Sequence, residues 1–542
     1  MTKLDPSNNI EPRYYCRKSF KQIPDNLANV FHCLAHCDFC CSGFFYIVLP
    51  TMKKLELRDY QRTVFDTYKD KPYGALFLDT GVGKTAVSIK LIEHKIKTKG
   101  YKRIIVFGPS AVLINWDKEF DKFYPDRQIP LHISNGSGQK RRKLLDSFCR
   151  EEAGILVINY EVASSRALAG YVERFEPEVM FLDESHMVKG HKSKRSKFVL
   201  ALRKKAKECF LLTGTPILNQ VTDIFMQYRI MDLGKTFGTN YWVFLRYYME
   251  DKNEKMKGSP YYFPKMVTRE SALPTLKEKI ETCATYIKKQ EVLKELPPLI
   301  SKEYHLEMTP PQKKAYKELK TDLVTEFKGG FVSVENALTK TLRLNTICAG
   351  HLTDNEGEIT FFEKTKKLEQ VVELVRQITH SGEKVIIWTS FTPEVERIAS
   401  ELKKNKVCKN ILYITGKQSA KAKAEAEDQF NSCPNHRVLI ANRAAGGTGL
   451  NLQAASHSII YSRNYSLAHE VQSEARNYRS GSEVHSCIVQ HNLIMKGTVE
   501  EIILEALQKK KDLGSGLLEN MKKDDDTSFK SLILNDLMED DF

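Results

Sequence analysis

Gly81-Val82-Gly83-Lys84-Thr85 holds the residues best suited to phosphate chemistry. Apolar Leu76-Phe-Leu78 leads in, and Ala86 to Glu93 follows with apolar residues at helical spacing, so the order is strand, loop, helix. Gly81 and Gly83 let the backbone come close to a phosphate. The amides of Val82 and its neighbours, with the helix N-terminus, then face the anion. Lys84 can reach β- and γ-phosphates, and the Thr85 hydroxyl can ligate Mg²⁺. Leu78 stands where the strict phosphate loop has its first glycine, so this is the relaxed GxGKT form.

A second stretch, Glu178-Val-Met-Phe-Leu-Asp183-Glu184-Ser-His186, is an apolar strand ending in two carboxylates. In parallel sheets ligands bind at such strand ends. Asp183 would hold Mg²⁺, and Glu184 would orient or deprotonate an attacking water. Upstream, Gln61 has the amide donor and acceptor needed to read an adenine edge. Far downstream, the pattern predicts a helix over 469–479 that places Gln472, Arg476 and Arg479 on one face. Arginines reaching a phosphate site from a second unit would stabilise transition-state charge. The other reading of that face is solvated or DNA-facing.

These residues need strands to carry them. Arg103–Pro109, Ile155–Asn159 and Phe210–Pro216 read as buried strands alternating with helical segments, Val112–Trp116 among them. That alternation predicts an α/β fold with a parallel sheet wound on both faces. Residues 222–300 are helical, aromatic and lysine-rich. From Lys364 the alternation restarts, with strands at 384–389, 410–415, 437–441 and 458–461, but no second GxGKT. The expected division is a leader over 1–51, a first lobe over 52–221, helical protrusions and linker over 222–362, a second lobe over 363–515 and an acidic tail over 516–542.

Lys and Arg outnumber Asp and Glu by 83 to 68, a formal charge of +15, which favours a polyanionic partner. No uninterrupted apolar run approaches the ~18–20 residues needed to cross a bilayer, so no membrane partner is expected. Seven of the twelve cysteines are isolated in the large chain, which suits a reducing compartment. The leader holds Cys33, His36, Cys37 and Cys40, a zinc-knuckle candidate without a second ligand pair; the other reading is a dispensable leader ahead of Met52.

In order, the segments resemble the SWI/SNF-type ATPases of helicase superfamily two, over about residues 55–515. Tyr60-Gln61 looks like the adenine-reading Q motif, Gly81–Thr85 motif I, Pro109–Trp116 motif Ia and Asp183–His186 motif II. Leu212-Thr213-Gly-Thr215-Pro-Ile-Leu-Asn219 resembles the coupling motif III, and Val385–Phe391 motif IV. Ala445-Gly-Gly447-Thr-Gly449-Leu-Asn-Leu452 is similar to motif V, and Gln472–Gly481 to motif VI. Glu295-Leu-Pro-Pro-Leu-Ile, Met308-Thr-Pro-Pro-Gln and Gly497-Thr-Val-Glu-Glu501 are also typical of this family. Motif II reads DESH, a variant of the annealing-helicase branch, and Tyr478 stands where His is common.

The resemblance implies two RecA-like lobes with helical insertions, ATP and Mg²⁺ as cofactors, and double-stranded or branched DNA as partner. Lobe closure by ATP and opening by hydrolysis would move the motor along one strand. Coupling would fall to Thr213, Thr215, Gly447, Gly449 and Gln472. Candidate DNA grips are the turn after motif Ia, Asn159-Tyr160, Ser390 and the motif V loop; the basic run Lys189–Lys207 is DNA-facing or simply solvated. The expected function is an ATP-dependent motor that translocates on duplex DNA, in a compact prokaryotic or viral form working inside the cell. A strand-separating helicase, a restriction-type motor subunit and an inactive ATP-binding scaffold are the alternatives.

Overall fold

A computed structural model describes residues 54–136, 138–252, 266–328, 334–354, 356–446 and 449–519. The cysteine-rich leader and Gly447 lie outside the described residues. So does the acidic tail beyond Glu519, where the helix Val499–Glu519 ends.

Two parallel sheets carry the chain. From edge to edge the first runs Leu131–Ser134, Gly154–Asn159, Arg103–Gly108, Val179–Asp183, Glu208–Leu212, Tyr73–Leu78 and Ala284–Ile287. Its five inner strands are buried almost end to end because both faces are covered. Ala75 and Phe77 face one helical layer, with Ile224, Phe225 and Tyr228. Leu76 and Leu78 face the other, with Val87, Ile89 and Trp116. The second sheet runs Leu299–Leu306, Ile488–Met495, His457–Ile460, Val385–Thr389, Val438–Asn442 and Ile411–Ile414. Its central strand is covered in the same way: Val385 and Ile387 meet one layer, Ile386 and Trp388 the other. This is the expected two-lobed α/β architecture.

The segment between the lobes departs from the expectation for 222–362. The helices Asp223–Asp232, Tyr241–Tyr248 and Leu273–Glu281 bury Ile224, Phe225, Tyr228, Phe244, Leu276 and Ile280 in the first lobe's core. Their apolar faces make them a layer of that lobe. Ala284–Ile287 then joins the first sheet beside the phosphate-loop strand, with Ala75 opposite Ala284. Leu299–Leu306 joins the second sheet along the full length of Ile488–Met495. The crossing between lobes therefore narrows to residues 288–298. The helices Pro310–Lys328 and Val334–Ala349 form their own cluster with the C-terminal helix through Tyr316, Leu344, Ile347, Ile503 and Leu507. Leu218 of motif III packs into that cluster.

Candidate active site between the two lobes

The phosphate loop leaves the strand at Leu78 and enters the helix Lys84–Lys99. Gly81 and Gly83 both have φ near +90°, a backbone that side chains disfavour. A Cβ on Gly83 would also lie 2.2 Å from Gln61 Nε2, so bulk is excluded there twice over. No side chain caps the helix N-terminus, so its first amides are left facing the loop. The Lys84 ammonium donates to the carbonyls of Leu78, at 2.8 Å, and Asp79, at 3.3 Å.

Gln61 is placed against this loop rather than held out from it. Its Nε2 donates to the Val82 carbonyl at 3.0 Å, and its Oε1 accepts from the Arg58 amide at 3.0 Å. Tyr60 donates its hydroxyl to the same Val82 carbonyl at 3.0 Å. Both amide atoms of Gln61 therefore bond backbone beside the phosphate loop. The pair braces the loop from behind.

Asp183 and Glu184 end the central strand Val179–Asp183. Glu184 takes a left-handed backbone, φ 51°, at a cost of about 1 kcal/mol for a non-glycine residue. Burial and the adjacent Glu184 charge push the Asp183 carboxyl above the usual range. For Glu184, burial acts upward, but His186, Lys84 and Thr213 outweigh it and hold the carboxylate ionised well below that range. His186 Nδ1 lies 3.2 Å from Thr213 Oγ and 3.3 Å from Glu184 Oε2, while Thr213 donates to Glu184 at 3.2 Å. The same hydroxyl accepts from the Thr215 amide at 3.1 Å, which ties both motif III threonines to motif II. The serine of DESH has its own partner: the Ser185 hydroxyl is 2.7 Å from Gln227 Oε1.

Three residues gain roles that their positions in the sequence do not declare. Trp116 Nε1 donates to Asp183 Oδ2 at 2.9 Å, a buried bond to a charged group. Tyr160 is buried and donates to the Asp183 carbonyl at 2.8 Å, which removes it from the candidate DNA grips. Asn115 Nδ2 crosses to the Gly449 carbonyl of motif V. A buried indole or phenol needs a polar partner, the one sequence signal available for Trp116 and Tyr160. Ser390 is likewise engaged inside its own lobe, bonding Ser462 with both its amide and its hydroxyl.

Motif VI is where expectation and structure differ most. The helix is Leu467–Glu474, and Arg476 and Arg479 lie in the turns beyond it. Past Glu474 the bonding tightens to a turn, with the Arg476 amide on the Ser473 carbonyl at 3.2 Å, and the Arg476 carbonyl then accepts from the Leu452 amide of motif V at 3.0 Å. Arg476 donates through Nη1 to the Leu450 carbonyl at 2.9 Å and through Nε to the Gln472 carbonyl at 2.8 Å. Burial, with Arg479 adding repulsion, lowers its guanidinium to about 9. A Cβ built on Gly81 would lie 3.2 Å from Arg479 Cβ, so motif VI rests directly on the phosphate loop. The buried Arg479 Nε has no hydrogen-bond partner. Gln472 Nε2 reaches Glu184 Oε1 at 3.4 Å.

Part of the basic run 189–207 is already paired. Lys189 bonds Asp223, Arg195 bonds Glu161, and Lys207 bonds Glu178. Arg203 is buried against the carbonyls of Met231 and Ala206. A different polar row lies at the strand ends of the first lobe. Arg141 bonds Ser134 and Asn159, and Asn159 in turn bonds Ser110.

The fold and site define a two-lobed α/β core, with a phosphate loop and an acidic pair on one lobe and arginines on the other. The chain matches the SNF2-related domain over residues 53–352 and the helicase conserved C-terminal domain over 364–481, and it belongs to the SNF2-related family. It is 27% identical over 538 residues to an uncharacterized ATP-dependent helicase of Mycoplasma pneumoniae, covering 97% of this chain and 48% of that protein. It is 25% identical over 509 residues to nuclear protein STH1/NPS1 of Saccharomyces cerevisiae, covering 88% of this chain and 36% of that one. The chain spans about half the length of the Mycoplasma relatives it matches, 48% and 45%. Among solved structures, the Sulfolobus solfataricus SWI2/SNF2 ATPase core in complex with dsDNA is 23% identical; the match covers 87% of this chain and 96% of that one, with a TM-score of 0.39. Among the described residues no helix is long and apolar enough to cross a membrane.

Proposed function

We propose that this chain is an ATP-hydrolysing motor that translocates along duplex DNA and so remodels protein–DNA complexes or branched DNA. The observation that carries the reading is the meeting of motif VI with motifs I and II across the cleft, with Arg479 on Gly81 and Gln472 on Glu184.

The residues present fit a triphosphate with its metal: an uncapped helix N-terminus, a lysine ammonium and a buried carboxyl at a strand end. Asp183 and Thr85 would hold Mg²⁺, which when bound neutralises charge on the phosphate oxygens. Lys84 exchanges two backbone carbonyls for phosphate oxygens. Glu184, kept ionised, orients the attacking water and takes its proton. Thr213 and His186 report the state of that carboxylate to motif III, whose Leu218 sits in the cluster joined to the second lobe. Arg476 and Arg479 present positive charge from the opposite lobe.

The formal +15 charge and the row Ser110, Asn159 and Arg141 support contacts to a phosphate backbone, which give affinity without reading bases. The seven described cysteines are all free thiols, in keeping with a reducing interior.

The test is hydrolysis measured without nucleic acid and with duplex, single-stranded and forked DNA and RNA. Duplex should stimulate strongly, and the stimulation should weaken with salt. Arg479→Ala should bind duplex yet lose most of the stimulated rate. A rate indifferent to every nucleic acid would overturn the reading, and unwinding of forks would move it toward strand separation.

A further inference from the structure

Motif VI is held against the first lobe at two points that flank its arginines. On one side Arg58 Nη2 donates to Ser480 Oγ at 3.1 Å. On the other stands Lys289, in the crossing segment 288–298. Its backbone amide donates to Asp79 Oδ2 at 3.1 Å, and the Asp79 amide donates back to the Ile287 carbonyl at 3.0 Å. Asp79 follows the phosphate-loop strand directly, and its carbonyl also accepts from Lys84. The Lys289 side chain points the other way. Its ammonium lies 3.4 Å from Glu474 Oε1 and 4.3 Å from the centre of the Tyr478 ring. Glu474 ends the helix that carries Gln472, and Tyr478 immediately precedes Arg479.

We propose that Lys289 is a positioning residue, a latch that sets motif VI against the phosphate loop. This proposal rests on the motor reading. One residue is anchored by its backbone at the entry to the loop and by its side chain at both ends of the turn that bears Arg476. The Lys289 side chain is only 12% exposed and Glu474 19%, so water screens their attraction less than it would at an open surface. The aromatic ring supplies a second, independent hold on the same cation. That ring is Tyr478, the residue next to Arg479. Glu474 also lies 3.7 Å from Lys511 on the C-terminal helix, so that helix and the crossing segment meet at one carboxylate. Lys289 touches neither acidic residue of motif II, and its effect passes through the placement of Gln472, Arg476 and Arg479.

The experiment is steady-state hydrolysis at saturating duplex with wild type, Lys289→Met, Lys289→Arg, Tyr478→Phe and Tyr478→Leu, each checked for unchanged thermal unfolding. Lys289→Met should lower kcat by about five- to tenfold with KM for ATP changed less than about twofold. Lys289→Arg and Tyr478→Phe keep the charge and the ring, so both should stay near wild type. Tyr478→Leu should fall between them and Lys289→Met. The double variant Lys289→Met with Glu474→Gln should be no worse than Lys289→Met alone. A folded Lys289→Met protein with wild-type kcat would overturn the latch and leave the motor reading standing. So would a rise in KM at constant kcat, or equal loss in Tyr478→Phe and Tyr478→Leu. A wild-type protein that duplex does not stimulate would overturn both.

Discussion

In the first lobe the strand Val179–Asp183 delivers two carboxylates into the cleft; in the second, the strand Val438–Asn442 delivers Arg443 into an enclosed ion pair with Glu470. The two lobes use like sheets and opposite charge placement. Asp183 is buried within its own lobe, and Glu184, half-buried beside it, is reached across the interface by Gln472. Arg443 is 1% exposed, and Glu470 accepts from it while Arg463 lies 3.5 Å away. A further acid of the second lobe, Glu394, lies beneath Ser462 and Phe391 and is pushed up to about 8 by burial. The first lobe keeps an acid charged where chemistry would need it. The second keeps Glu394 neutral and Glu470 in an internal tie, and brings Gln472, Arg476 and Arg479 to the cleft.

That contrast can be broken at its strongest point first. Glu184→Gln should lower turnover by about 10²–10⁴ while ATP and duplex binding persist, because the amide keeps the shape and loses the base. Single-turnover hydrolysis with a parallel binding assay checks it; unchanged turnover of bound ATP would remove Glu184 from its role.

Glu470→Ala should act on stability instead. It strands Arg443 and Arg463 without their shared carboxylate, at about 3–5 kcal/mol. Denaturant unfolding of the second lobe measures this, and a loss below about 1 kcal/mol would mean the ties are dispensable.

Trp116→Phe sharpens the comparison from the first lobe's side. It removes only the indole donor to Asp183, so hydrolysis should fall about tenfold with little change in melting temperature. A variant with full activity would show that Asp183 is held by its other contacts alone.

Glu394 gives the finest test. Its folded value lies above the ordinary carboxylate range, so the folded state keeps the proton through a window in which the unfolded chain has lost it. Stability from this group is therefore complete below about pH 4.5 and declines as pH rises toward 8. Glu394→Gln should flatten the curve by about 1 kcal/mol per pH unit in that window. An unchanged slope, read by unfolding at several pH values, would mean that Glu394 is charged in the folded protein.

The sequence alone determined whatever depends on short-range chemistry. GxGKT names its own loop because two positive-φ glycines and a lysine are useful only at that spacing. The continuous apolar strands announce a parallel sheet because both faces of each must be covered. Asp183 and Glu184 were legible as a strand-end pair for the same local reason. The tertiary structure alone decided the partners. Helical spacing carried the motif VI helix on to residue 479, but it ends at Glu474, and the turn beyond it bonds the Leu452 amide, 24 residues before Arg476 in the chain. Tyr160 beside Asn159 read as a surface grip, yet the phenol turns inward to Asp183 because a buried ring needs a place for its hydroxyl. Gln61 had the right atoms for a base edge, and only the structure shows that they also bond the backbone of Arg58 and Val82. Lys289 carries no motif at all. It matters because the crossing segment passes between Asp79 and Glu474, a coincidence of three distant stretches that no local pattern encodes.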